Sequence, residues 1–288
     1  MTIKNPIEWS GAQVVHAAEA VENFGRSLSH IADRVHSPAP AVRRITLDDL
    51  RDALARGLGD FMAYRSDVLA VGVIYAIVGI VMGRAAFGSD LLPLIFPLAS
   101  GFAIVGPFAA VGLYEMSRRR EQGREAHWSN ALDVVREPSF GAIAMLGVML
   151  IAIFGLWIAC AWWIYQATLG PAMPQNLGAF MHDVVATGAG YAMIAVGIGV
   201  GFVFALVAMA ISVVSFPLLL DRDVGLDTAV RTSIRAVIAN PRAMAAWGAV
   251  VTGLLVAGSL PFFIGLAVVG PVLGHATWHL YRKLVAPA

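Results

Sequence analysis

Cysteine is almost missing from this chain of 288 residues: Cys160 stands alone. A single thiol excludes an internal disulfide framework and any Cys-x-x-Cys metal or redox site. Charge is scarce too, at 14% of residues, where soluble globular domains carry roughly a quarter. The formal net charge is only +1, so no electrostatic footprint for nucleic acid shows in the total. No serine-hydrolase elbow, zinc-protease, phosphate-loop or dinucleotide motif stands in the strand–turn–helix context it needs. These absences point away from a cytosolic enzyme and toward a non-enzymatic role.

What is abundant is apolar: 58% of residues are hydrophobic. A helix needs about 20 mostly apolar residues to cross a bilayer core of roughly 30 Å. Six stretches meet or approach that length, at about 68–87, 91–114, 140–165, 191–220, 243–260 and 262–281. Pro261 separates the last two, which as one helix would be too long for a membrane. The expected fold is therefore all-α, a polytopic bundle of six transmembrane helices. Every Lys and Arg except Arg84 lies at a terminus or in the 115–139 and 221–242 connections, while 166–190 has none. By the positive-inside rule both termini are expected to be cytoplasmic. Trp162, Trp163, Tyr165 and Tyr191 then mark the outer interface, and Tyr64, Trp128, Trp278 and Tyr281 the inner one. The first 65 residues are polar, without the apolar core of a cleavable signal.

Residues 1–45 form a separate N-terminal region ahead of a membrane domain at 46–288. Within it, Val14, Ala18, Val21, Leu28, Ile31 and Val35 recur at helical steps, predicting an amphipathic helix over 8–36. Such a helix lies on the bilayer or docks a partner, and residues 37–40 (Ser-Pro-Ala-Pro) link it to the membrane domain. An internal repeat is more informative. Gly-Phe-Ala-Ile-Val-Gly-Pro at 101–107 matches Gly-Leu-Ala-Val-Val-Gly-Pro at 265–271, and Arg118-Arg119 matches Arg282-Lys283 in the same register. Asp133 to Pro138 likewise resembles Arg235 to Pro241. The reading is three like-oriented hairpins, each preceded by a cytoplasmic amphipathic helix, with Pro107, Pro217 and Pro271 in the returning spans. Thr46 followed by Asp49 fits a helix N-cap, and Asp227 or Thr228 would serve similarly. Small residues at Gly79/Gly83, Gly197/Gly201 and Gly270/Gly274 permit close helix contact.

Ionisable residues inside a membrane usually mark transport or proton paths, and spans one to five carry no Asp, Glu, Lys or His at mid-depth. His275 and His279 in span six are the exception. At i and i+4 they share one helix face, a spacing that suits a structural hydrogen-bonded pair and would also suit ligation of a metal or haem. No further ligand completes a metal set. Arg118, Arg119, Arg120 and Arg282 face the inner leaflet and are candidate lipid-headgroup contacts. Asp221 to Asp223 read as an interfacial salt-bridge cluster. The bilayer itself, and another membrane protein or a second copy of the chain, are the expected partners.

Three motifs together carry a resemblance: Gly-Leu-Tyr-Glu-Met-Ser-Arg-Arg-Arg at 112–120, Ser-Phe-Pro-Leu-Leu-Leu-Asp-Arg at 215–222 and Gly-His-Ala-Thr-Trp-His-Leu-Tyr-Arg at 274–282. Over about 45–285 the chain resembles an uncharacterised bacterial six-span integral-membrane family, a domain of unknown function in which some members carry a cytochrome c oxidase subunit I label. The resemblance implies an inner-membrane location with no established activity. The catalytic oxidase subunit is much longer and holds its haems and copper on a set of intramembrane histidines, of which only His275 and His279 have counterparts here. What the label implies is therefore an accessory or assembly role near a respiratory complex. A lipid or small-amphiphile carrier with grooves at the proline breaks is the alternative.

Overall fold

The computed structural model describes residues 38–64, 91–125, 133–260 and 264–287. The expected helix at 8–36, span one and Arg84 lie outside them. The described chain is helical. In order it forms α1 (Leu47–Ala63), a 3-10 turn (Leu92–Leu94), α2 (Ile95–Ala109), α3 (Val111–Glu121), α4 (Phe140–Thr168), α5 (Leu177–Ala186), α6 (Gly188–Ser212), α7 (Ser215–Asp221), α8 (Leu226–Ala239), α9 (Pro241–Ser259) and α10 (Leu266–Leu284).

Among the described residues, four segments are long and apolar enough to cross a membrane: Leu92–Ala109, Phe140–Thr168, Gly188–Asp221 and Pro241–Ser259. They fall on predicted spans two to five. Each has the expected physical cause, an apolar run whose only charges, Asp221 and Arg242, stand at segment ends. The helix over the sixth predicted span is different in kind. α10 is apolar in its first half and carries His275, His279, Arg282 and Lys283 in its second. That second half packs along α1, the most extensive helix pairing among the described elements.

Local signals explain some of the helix starts. Thr46 and Asp49 form a reciprocal capping box: Thr46 Oγ1 accepts from the Asp49 N–H at 3.3 Å, and Asp49 Oδ2 accepts from the Thr46 N–H at 2.8 Å. α8 departs from expectation, because its N-cap is Gly225 and makes no side-chain cap bond. Asp227 instead sits in the first turn, where its charge complements the helix dipole, and Thr228 is buried. Ahead of α4 the expected amphipathic helix is only a 3-10 turn at 133–136 in the described part.

The prolines break helices unequally. Beyond Pro107 the chain kinks at Ala110 between α2 and α3, whereas Pro271 sits inside an uninterrupted α10. Before Pro217, α6 gives way to α7 at Val213 and Val214, and the Val214 N–H freed there donates to Ser233 Oγ at 3.2 Å. Such a break is tolerable because another helix supplies the acceptor.

The two ends of the described chain are tied together. Arg43 N–H donates to Leu284 O at 2.7 Å and Ala286 N–H to Ala41 O at 3.0 Å. Asn240, between α8 and α9, accepts from Ile45 N–H at 2.8 Å and donates to Arg43 O at 3.0 Å. α1 is thereby fixed against α10, and the two cross closely. A Cβ built on Gly57 would lie 2.5 Å from the backbone nitrogen of Ala276. Gly57→Ala should therefore destabilise the protein by about 1–3 kcal/mol through overpacking. Thermal unfolding of purified wild type and variant in the same detergent checks this, and equal melting temperatures would contradict the close crossing.

Candidate functional site

The charged residues gather at one end of the bundle, where α1, α3 and α10 meet. Their hub is Asp60, 4% exposed. It lies on the buried face of α1 with Leu50, Ala53, Gly57 and Phe61, a place where an acid is costly unless it is paired. Three donors reach it. Ser117 of α3 donates its hydroxyl to Oδ2 at 2.6 Å, His279 of α10 lies with Nε2 2.8 Å from the same oxygen, and Arg120 of α3 donates from Nη1 to Oδ1 at 2.6 Å. The Arg120 guanidinium also stands over the Tyr64 ring, 5.9 Å from its centroid.

Proton counting assigns the next link. Ser117 has one hydroxyl proton, committed to Asp60, so it can only accept from His275 Nδ1, 2.8 Å away. His275 is fully buried and carries its proton on Nδ1. The two histidines expected to share a face do so, and both are drawn onto the Ser117–Asp60 pair. Among the described residues no group of three or more His, Cys, Asp or Glu side chains is placed to hold a metal ion.

Burial alone would raise the Asp60 carboxyl, but hydrogen bonds from His279 and Ser117 and the neighbouring imidazoles outweigh it and hold it below the usual carboxylate range.

The arginines are held by carboxylates in turn. Glu115, buried, pairs with Arg118 and Arg119 at 2.7 Å each. Arg118 also reaches Glu137 at 2.8 Å and the Leu220 carbonyl, and Arg119 reaches Asp133 at 2.9 Å. Burial opposes the Arg118 charge, yet Glu115 and Glu137 push its pKa above the ordinary value. Arg282 lies 3.0 Å from Glu121 and 3.3 Å from Asp221. Asp221 also accepts from Tyr281 at 2.6 Å, and Trp278 donates to Glu121 at 3.0 Å. The expected cluster at Asp221 is therefore present, extended across α3 and α10.

Two openings flank this end. A half-open polar cleft of about 510 Å³ runs between α1, α3 and α10, with Asp60, Ser117 and Glu121 on its wall. An apolar groove of about 140 Å³ lies between α2, α6, α9 and α10. On α10 the cleft takes His279, Arg282 and Lys283, and the groove takes Gly270, Leu273 and Thr277. At 3.6 residues per turn those sets occupy opposite faces of the helix, so the openings are separate.

Asp60, Ser117 and Glu121 had no place among the sequence candidates. The usable signal was Asp60 itself, an acid in register with the apolar face of an amphipathic helix.

Asp60→Asn removes the charge its three donors are oriented toward and should cost about 1–3 kcal/mol, less than a fully buried pair because Arg120 is partly solvated. A lowered folded-state pKa contributes stability above the unfolded value, 3.8 for this group, and loses it as pH falls through the folded value. The gap in melting temperature between wild type and Asp60→Asn should hold at pH 6 and shrink between about pH 4 and 3. A gap unchanged down to pH 3 would contradict the pairing.

No curated protein and no solved structure matches the chain significantly. Residues 95–221, somewhat under half of the chain, match the family model described as "Predicted integral membrane protein (DUF2189)". The match contains the motif at 112–120 and nearly all of that at 215–222, and it is to the uncharacterised integral-membrane family, of unknown function, that the motifs resemble.

Proposed function

We propose that the chain is a six-span protein of the bacterial inner membrane, with both termini cytoplasmic, that acts without catalysis as a scaffold or accessory partner of another membrane protein. Four apolar helices, the apolar run at 68–87 and the apolar half of α10 support the six spans and three hairpins. The gathering of basic residues in the termini and in the 115–139 and 221–242 connections, with Arg84 the exception, supports the orientation. One observation carries the scaffold reading. The segment Gly188–Asp221 is the longest of the four apolar segments among the described residues, and only 6% of its most apolar stretch is buried. Phe202, Val203, Ile198 and Tyr191 are each more than half exposed. Such a surface suits lipid or another protein. Exposed Ala195 and Gly199, one turn apart, would let a second helix approach closely.

The polar end supports the same reading. Its buried charges pair with one another across helices, an arrangement that stiffens a platform. His275 and His279 support that platform through their hydrogen bonds to Ser117 and Asp60. A lipid-binding reading is favoured by the apolar groove beside Pro107. That groove and the polar cleft lie on opposite faces of α10, so an amphiphile in the groove would not place its head in the cleft.

A photo-reactive residue in place of Phe202, irradiated in native membranes, tests the scaffold reading. It predicts a discrete protein adduct of defined mass, absent when the probe replaces the fully buried Leu146. Labelling of lipid alone, with no protein adduct, would overturn it.

A further inference from the structure

Two glycines stand close together in α1 and need different explanations. Gly57 is demanded by packing against the Ala276 backbone. At Gly59 the position of a Cβ has no neighbouring atom within 4 Å, so packing does not ask for glycine there. A glycine inside a helix is nonetheless less favourable than alanine. What Gly59 borders is the polar cleft, into which Arg56, Arg120, His279, Arg282 and Lys283 converge from three helices. We propose that this cleft binds a phosphate-bearing anion, and that Gly59 keeps its wall open.

Size and the convergence of cationic donors both support the assignment. At about 510 Å³ the cleft lies within the range of small-molecule sites, roughly 300–1,000 Å³. Three arginines and a lysine line it against two carboxylates, Asp60 and Glu121. Further carboxylates stand behind the cations and orient them. Asp52 lies 3.0 Å from Arg56 and 2.8 Å from Lys283, Asp49 lies 3.4 Å from Lys283, and Asp221 lies 3.3 Å from Arg282. Hydrogen bonding to Asp52 raises the Lys283 pKa and keeps the ammonium charged. These pairings use Nε of Arg56, Nη1 of Arg120, and Nε with Nη1 of Arg282. A guanidinium carries five donors in a fixed fork, so, among the described residues, these pairings engage one nitrogen of Arg56 and of Arg120 and two of Arg282 and leave further donors on each. Guanidinium forks presented from different helices suit the several oxygens of a tetrahedral phosphate better than a planar carboxylate. The cleft lies at the charged end of a membrane bundle, so the phosphate can come from a lipid headgroup or from a soluble phosphate.

The full-length protein in detergent, and in nanodiscs, tests the proposal by thermal unfolding. One arm titrates inorganic phosphate against chloride at equal ionic strength. The other compares nanodiscs of phosphatidylcholine alone with nanodiscs that also contain phosphatidic acid. Wild type should gain a saturable rise in melting temperature in at least one arm. The phosphate arm alone identifies a free anion, the lipid arm alone a headgroup, and both together the shared chemistry. Gly59→Glu places a carboxylate in open space beside the cleft, and should weaken the effect at least tenfold, measured against that variant's own ligand-free melting temperature. Arg56→Gln, at an exposed residue, should weaken it several-fold and guards against a folding defect in the first variant. A wild type that responds in neither arm, or responses unaltered in both variants, would overturn the proposal. The photo-crosslinking outcome at Phe202 is independent of this result, so the two readings fail separately.

Discussion

A carboxylate taken out of water must be compensated by hydrogen bonds and opposite charge, and Asp60 can find that compensation only if three helices meet. Its donors come from α3, through Ser117 and Arg120, and from α10, through His279. Pairing α1 with α10 thus also fixes α3, and the close crossing at Gly57 and Ala276 sets the distance at which the network closes. The dependence is mutual. Without the crossing, Asp60 would be solvated and the pairings weak; without the pairings, a buried acid would push the helices apart.

The rest of the polar end repeats this solution. Glu115 gathers Arg118 and Arg119, and Asp221 gathers Tyr281 and Arg282. Glu115 and His279 stand at matching places in the internal repeat, and each is the inward-facing partner of an ionised group. Away from this end the described residues are mostly apolar and much of their surface is uncovered, as along α6. The molecule is therefore polarised between a rigid, self-paired end and an apolar flank open to its surroundings.

How much of this was legible in the sequence depends on the range of each interaction. Spans three to five could be read because an apolar run is a local property, and the helices Phe140–Thr168, Gly188–Ser212 and Pro241–Ser259 fall on them. The capping box at Thr46 and Asp49 spans three residues and was equally readable. The polar hub was not, because Asp60, Ser117 and His279 are separated by 57 and 219 positions along the chain. The arginine run at 118–120, read without its tertiary partners, pointed to lipid headgroups; in the structure Glu115, Glu137, Asp133 and Asp60 engage it. Periodicity puts His275 and His279 on one face, but it does not tell which groups that face meets. The capping role expected of Asp227 or Thr228 failed because Gly225 begins the helix earlier.

The central claim is that Asp60 and His279 interact directly and thereby join α1 to α10. A double-mutant cycle with Asp60→Asn, His279→Gln and the double variant, read as unfolding free energies in one detergent at pH 7, tests it most directly. The account predicts a coupling of about 1–3 kcal/mol, as for contacting residues in one hydrogen-bonded network. Effects that add to within about 0.5 kcal/mol, the behaviour of distant independent sites, would contradict it.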